Sequence, residues 1–152
     1  MVNIQNNQSI VINQDWLHKI ATQTVRFLDY QQFDLSIVLV NNEEMQTYNK
    51  QFRGIDKPTD VLSFPFFADA QPGKKLKPTC KDEYVLGDII IAPLYIQEHL
   101  EERQDTFEHR IMVLLVHSIC HLLGYDHIED NDFALMDKEE KRILAHLESV
   151  ME

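Results

Sequence analysis

Cysteine is scarce: Cys80 and Cys120 are the only two in a chain of 152 residues. Two thiols cannot build a disulfide framework, and they fit a reducing compartment. Glycine (4) and proline (5) are also sparse, which excludes collagen-like and linker-dominated chains. No stretch approaches the roughly 18 uncharged apolar residues of a membrane span. The opening residues, Met1-Val-Asn-Ile-Gln-Asn-Asn, have neither the basic start nor the apolar core of a secretory signal. The expected location is therefore the cytoplasm, with no membrane partner. Internal repeats and low-complexity linkers are missing too, and the length suits one domain, expected to span residues 1–152. Positive charge is in deficit: 14 Lys and Arg stand against 25 Asp and Glu, a net charge of −11. Broad nucleic-acid affinity depends on Lys and Arg meeting phosphates, so this balance argues against a general DNA-binding protein.

What is present is an ordinary globular balance, 44% hydrophobic and 26% charged. The charge is unevenly spread. Lys50 to Lys81 holds seven positive and three negative residues, whereas Asp126 to Glu152 holds three positive and nine negative. A basic middle and an acidic tail fit an anionic ligand at one local site, and equally fit two solvated faces.

The periodicity mixes helix and strand. Ile10-Val-Ile-Asn precedes apolar residues at Trp16, Leu17, Ile20, Ala21, Val25 and Leu28, which is helical spacing with Asn13 as N-cap. Leu35 to Val40 is short and β-branched, a strand. A second helix opens at Asn41-Asn42-Glu43-Glu44, runs to about Phe52 and stops at Gly54. Val61 to Phe66 and Gly87 to Ala92 read as strands, the first at an edge or ending at Pro65. Asp69 to Lys81, with Pro72-Gly73 and Pro78, reads as a surface loop. Helices are expected from Pro93 to about Glu102, from Thr106 to Leu123, and from about Asn131 to Val150. Thr106–Leu123 is so apolar that it belongs in the core. The order β-α-β-α-β-β followed by three helices implies a single α+β domain. Its expected form is one small mixed sheet of about four strands, packed with about five helices, with a metal site at the end of a buried helix.

That metal site rests on three histidines in His117-Ser-Ile-Cys-His121-Leu-Leu-Gly124-Tyr-Asp-His127. His117 and His121 are one turn apart, about 40° round the helix, so both rings can reach one point. Gly124 can stop the helix and let the chain deliver His127 to the same place. Three imidazoles with a vacant fourth position make a catalytic-type zinc site, whereas a structural site is closed by a fourth protein ligand. His18, His99 and His146 read as helix-surface residues, and His109 as outer-shell at best, about 80° round from His117. Cys120 points away from the shared face and reads as a small buried residue. Asp126 is a candidate acceptor for an imidazole N–H. The spacing is similar to the metzincin protease motif, but Ser118 stands where those enzymes carry the general-base Glu. A hydroxyl does not take a proton from zinc-bound water near neutral pH, so the scissile bond is not expected to be a peptide.

These residues resemble the YbeY endoribonucleases, the rRNA maturation factors. The family motif His-Gly-x-Leu-His-Leu-x-Gly-Tyr-Asp-His is matched from His117 to His127, with Ser118 for Gly and Cys120 for Leu. A second block, from Asn49 through Arg53-Gly54 and Pro58-Thr59-Asp60-Val61-Leu62-Ser63-Phe64-Pro65, is similar to the family's Tyr-Arg-x-x-Asp-x-Pro-Thr-Asp-Val-Leu-Ser-Phe-Pro, with Phe52 for Tyr. Leu86-Gly87-Asp88-Ile89 resembles a third. The resemblance implies one Zn2+ per chain on His117, His121 and His127. It also implies single-strand-specific endoribonuclease activity in rRNA maturation at the 16S rRNA 3′ end, and a role in ribosome quality control. The implied partners are ribosomal RNA, the small ribosomal subunit and its assembly factors.

Arg53 and His117 are the expected catalytic residues. The planar fork of Arg53 suits phosphate oxygens, and the resemblance places a functional arginine there. An ion pair with Asp56 or Asp60 is the competing reading of Arg53. In the expected chemistry the zinc takes a water or a phosphate oxygen at its open position while Arg53 stabilises the developing charge. Two alternatives stand beside it: a zinc metalloprotease-like hydrolase, and a non-catalytic ribosome-assembly factor with structural zinc.

Overall fold

Side-chain oxygens open the three helices that begin the chain's main turns. In the computed structural model, which describes residues 1–151, Asn13 accepts from the Trp16 N–H at 3.0 Å and starts α1 (Gln14–Phe27). Asn41 accepts from the Glu44 N–H at 2.8 Å and starts α2 (Asn42–Arg53), which Gly54 ends in the left-handed conformation at φ 71°. Thr106 accepts from the His109 N–H at 3.2 Å and starts α5 (Phe107–Leu122). Each cap satisfies an N–H that the helix itself leaves unpaired.

Four strands form one sheet in the order β1-β2-β4-β3. They are β1 (Val2–Asn6), β2 (Asp34–Leu39), β3 (Val61–Pro65) and β4 (Val85–Ile91). β1 and β4 run parallel to β2, and β3 runs antiparallel to β4, so the sheet is mixed. β3 is an edge strand that ends at Pro65, a place where the missing N–H costs no ladder bond. Alternation splits the sheet's two faces. Leu35, Ile37, Leu39, Ile89 and Ile91 join one large core with residues of α1, α5 and the last helix, α6 (Asp130–Val150), while Ile90 and Leu62 join a smaller one with Met45 of α2. The remaining helices are α3 (Pro93–Glu98) and α4 (Leu100–Arg103). The result is the α+β arrangement expected, a four-stranded mixed sheet in a single domain.

Two expectations need correction. The opening strand is Val2–Asn6, not the apolar Ile10–Ile12. Val11 is 93% exposed, whereas Val2 and Ile4 align with Leu35 and Ile37 of β2. Backbone pairing with β2, rather than local apolarity, selects the strand. The helix expected from Pro93 to about Glu102 is interrupted at His99, whose φ of −112° lies outside the helical range, giving six α-helices among the described residues instead of about five.

α5 lies in the core. Ile111, Leu115, Val116, Ile119, Cys120 and Leu122 have no solvent exposure, and the helix packs between the sheet and α6. Its C-terminus closes as a Schellman motif: Tyr125 N–H donates to Cys120 O at 3.1 Å, and Gly124 N–H to His121 O at 3.0 Å. Gly124 has φ 96°, and a Cβ there would collide with the carbonyl of Ala70. Glycine is needed both for the turn and for the passing loop.

Candidate metal centre

That turn brings the chain back over its own helix. His117 and His121 project from successive turns of α5, and the segment after Gly124 returns His127 beside them. One ligand atom from each of the three lies within 4.8 Å of the other two. The ring centroids are 4.5 Å apart for His117 and His121, 5.5 Å for His117 and His127, and 5.3 Å for His121 and His127. The sequence-predicted triad is thus brought together, two rings half-buried and His127 exposed.

The backs of the two helical rings are held. His117 Nδ1 donates to Glu140 Oε1 of α6 at 2.8 Å, and His121 Nδ1 donates to the Tyr125 carbonyl at 2.9 Å. Neither acceptor carries a proton to give when ionised, so both rings place their N–H at Nδ1 and turn a lone pair outward at Nε2. Those two Nε2 atoms are 3.0 Å apart. Two lone pairs at that distance repel, and a cation shared between them turns the repulsion into ligation. Burial, and then the neighbouring His117, lower the His121 pKa from the usual imidazole value, which favours the neutral form that binds metal. The donor set, three imidazoles with a carboxylate and a carbonyl behind two of them, fits a zinc ion.

Asp126 is not the acceptor expected of it. Its Oδ1 accepts from the Ile128 N–H at 3.2 Å and so shapes the loop that carries His127. Glu140 takes the role instead. It sits in Lys138-Glu139-Glu140-Lys141, a charge run that reads as a solvated helix face, and 23 residues separate it from His117. Nothing local in the sequence marks it. A second support lies one residue earlier: Glu139 Oε2 accepts from the Tyr125 hydroxyl at 3.2 Å, and burial and that carboxylate push the Tyr125 pKa up to about 12.

The triad opens on a cleft of about 830 Å³ that is also lined by Arg53, Asp60, Arg110 and Glu140. The ion pairs proposed against Arg53 are not made. Asp56 lies 3.9 Å from Lys50, and Asp60 lies 3.5 Å from Arg110. Arg53 is exposed at the end of α2 and has no ion pair among the described residues. Ser118 is fully buried in α5 and does not line the cleft, so its position supplies no base to the site. Cys120 is buried with its thiol pKa raised by desolvation, an inert packing residue as expected. His109 bonds Asp105 at 2.8 Å at the exposed start of α5 and takes no part in the centre. His146 stacks on Phe27 and His99 on Tyr95. No helix among the described residues is long and apolar enough to cross a membrane.

Comparison with known proteins bears on this centre. Residues 2–148 match the family profile described as Endoribonuclease YbeY. A protein of that name from Caldicellulosiruptor bescii is 36% identical over 151 residues, covering 95% of both chains. The human protein of that name is 38% identical over 122 residues, covering 80% of this chain and 72% of its own length. A solution structure of a Thermotoga maritima protein superimposes with a TM-score of 0.59 at 26% identity, covering 98% of this chain and 93% of that one.

Proposed function

Because the chain belongs to the YbeY endoribonuclease family, and is thus a hydrolase acting on RNA, we propose that it is a zinc-dependent, single-strand-specific endoribonuclease in ribosomal RNA maturation. Its proposed substrate is the 3′ end of 16S rRNA, and its proposed setting is maturation and quality control of the small ribosomal subunit in the cytoplasm. We take residues 1–152 as one catalytic domain. The observation that carries this reading is the meeting in one cleft of three histidines and an arginine that has no ion pair among the described residues.

His117, His121 and His127 would hold the zinc. Bound there, the ion supplies Lewis-acid polarisation of a phosphoryl group. Glu140 and the Tyr125 carbonyl fix two of the rings through their Nδ1–H atoms, so that the lone pairs converge without rearrangement. Arg53 offers its planar fork to the non-bridging oxygens of the scissile phosphodiester, and gains most as negative charge builds on them. Among the described residues no carboxylate pairs with that fork, since Asp56 and Asp60 are paired elsewhere. The metalloprotease alternative lacks its base, because residue 118 is a serine, and that serine is buried.

The test is digestion of an RNA spanning the 16S 3′ end by the zinc-loaded protein, as a single strand and annealed to its complement, with casein in parallel. The single strand should be cut, and the duplex and casein left whole. Cleavage of casein alone would move the assignment to peptide hydrolysis. Analysis of the new 3′ terminus identifies the nucleophile: a 2′,3′-cyclic phosphate marks attack by the RNA 2′-hydroxyl, and its absence marks attack by water.

A further inference from the structure

The histidine cleft continues past Arg110. Thr59, Asp60 and Arg110 line both the cleft and a second cavity of about 270 Å³, so the two spaces share a wall. Arg103 of α4, His99, Tyr95, Ile96 and Glu102 line the rest of the smaller one. Arg110 stands in the first turn of α5 with its side chain 15% exposed. Its guanidinium makes one side-chain contact among the described residues, from Nη2 to Asp60 Oδ2 at 3.5 Å. A guanidinium carries five N–H donors in a flat fork. Most of them therefore lack a protein partner, although the group is largely withdrawn from bulk water. Asp60 has little more to give, because its Oδ1 accepts from the Val61 N–H at 2.8 Å and the Thr59 hydroxyl at 3.4 Å.

A second cation aggravates this. Arg103 lines the same cavity and has no ion pair among the described residues. Burial first, and the Arg103 charge second, lower the Arg110 pKa from the usual guanidinium value. Glu102 borders the cavity and makes no bond to either arginine among the described residues. The charges of Asp60 and Asp105 offset part of the lowering, but among the described residues the two guanidinium groups share one long carboxylate contact, which leaves a site that an anion completes.

On the endoribonuclease reading above, we infer that this cavity is a phosphate subsite, where Arg110 with Arg103 beside it holds a backbone phosphate flanking the one presented to the histidines. The ligand is the same single strand, since the shared wall leads directly from the scissile position into the cavity. Asp60, tied to the start of β3 through the Val61 N–H, touches the Arg110 fork from one side only. The chain thus gathers cations along one track while its net charge stays at −11.

The experiment compares the zinc-loaded wild type with Arg110→Gln and Arg103→Gln. It measures steady-state cleavage of a single-stranded RNA oligonucleotide, and its binding by fluorescence anisotropy read on mixing, before turnover. Arg110→Gln should raise KM about tenfold with kcat little changed. It should also flatten the dependence of log affinity on log salt by about 0.7, the share of one phosphate contact on a single strand. Arg103→Gln, on an exposed helix that can absorb the change, should move both readouts in the same direction by less. Unchanged binding and salt slope in both variants would overturn the subsite, as would a loss in Arg110→Gln confined to kcat and melting temperature. The two readouts separate the claims. If the wild type binds RNA through Arg110 and cuts none, the subsite stands and the nuclease reading falls. If the wild type does not bind RNA, both fall.

Discussion

Arg53 lines the cleft without a carboxylate partner among the described residues, so the fold does not depend on its charge. Arg53→Glu should abolish measurable cleavage, a loss of about 100-fold or more, with zinc content and melting temperature as in the wild type. Loss of zinc in that variant would make Arg53 a structural residue. Glu140 acts through His117, at 2.8 Å from Nδ1. Glu140→Gln should weaken zinc binding about 10–100-fold, read by titration against a competing chelator, while the secondary structure by circular dichroism is unchanged. At this scale the sequence revealed the three histidines that meet and hid what lies behind them. His117, His121, Gly124 and His127 announce themselves because one helix and one turn fix their spacing. Glu140 comes from a different helix, and only tertiary packing puts it behind His117. Asp126 was the visible candidate for that role because it is close in sequence; its carboxylate is spent on the Ile128 N–H.

The joint between α5 and α6 carries the site. Tyr125, Glu139 and Arg142 link the loop after α5 to α6: the Tyr125 hydroxyl donates to Glu139, and Arg142 Nε donates to Glu139 Oε1 at 2.6 Å. The Arg142 bond, opposed by burial, holds the Glu139 carboxyl below the usual range. A carboxyl lowered in the folded state contributes stability that is present above its unfolded pKa, near 4.3, and is lost as pH falls through the lower folded value. Glu139→Gln should therefore melt below the wild type by a constant margin from pH 5 to 8, and the margin should close on acidification below about pH 4. A margin that widens in acid would show that Glu139 does not carry the joint. Gly124→Ala should destabilise by at least about 1–2 kcal/mol in urea unfolding, since φ there is 96° and the Ala70 carbonyl occupies the space. Elements with local signals were legible: the Asn13, Asn41 and Thr106 caps and the Gly54 stop all lie where the residue types place them. β1 was not, because Val-Asn-Ile-Gln-Asn is mostly polar and becomes a strand only by pairing with β2, 33 residues further on at Val2–Leu35.

On the scale of the whole molecule, one large core packs α1, α5 and α6 against the sheet, and only half-buried and exposed rings reach the metal centre. The fold has enough buried apolar surface to stand without the ion, unlike small domains that a structural zinc holds together. Chelation should leave a cooperative melting transition, lowered by a few degrees (~2–5 °C). Collapse of that transition would support the assembly-factor alternative, in which zinc is structural. Class and approximate element count were legible because alternation and helical period are local. The strand order, and the joining of two cavities through Thr59, Asp60 and Arg110, depend on contacts between distant segments and were not. The most direct test of the central claim is the rate at which the protein cuts single-stranded ribosomal RNA before chelation, after it, and after zinc is returned. The account predicts one zinc per chain, loss of cleavage on its removal, and recovery on its return. Undiminished cleavage by metal-free protein would contradict it.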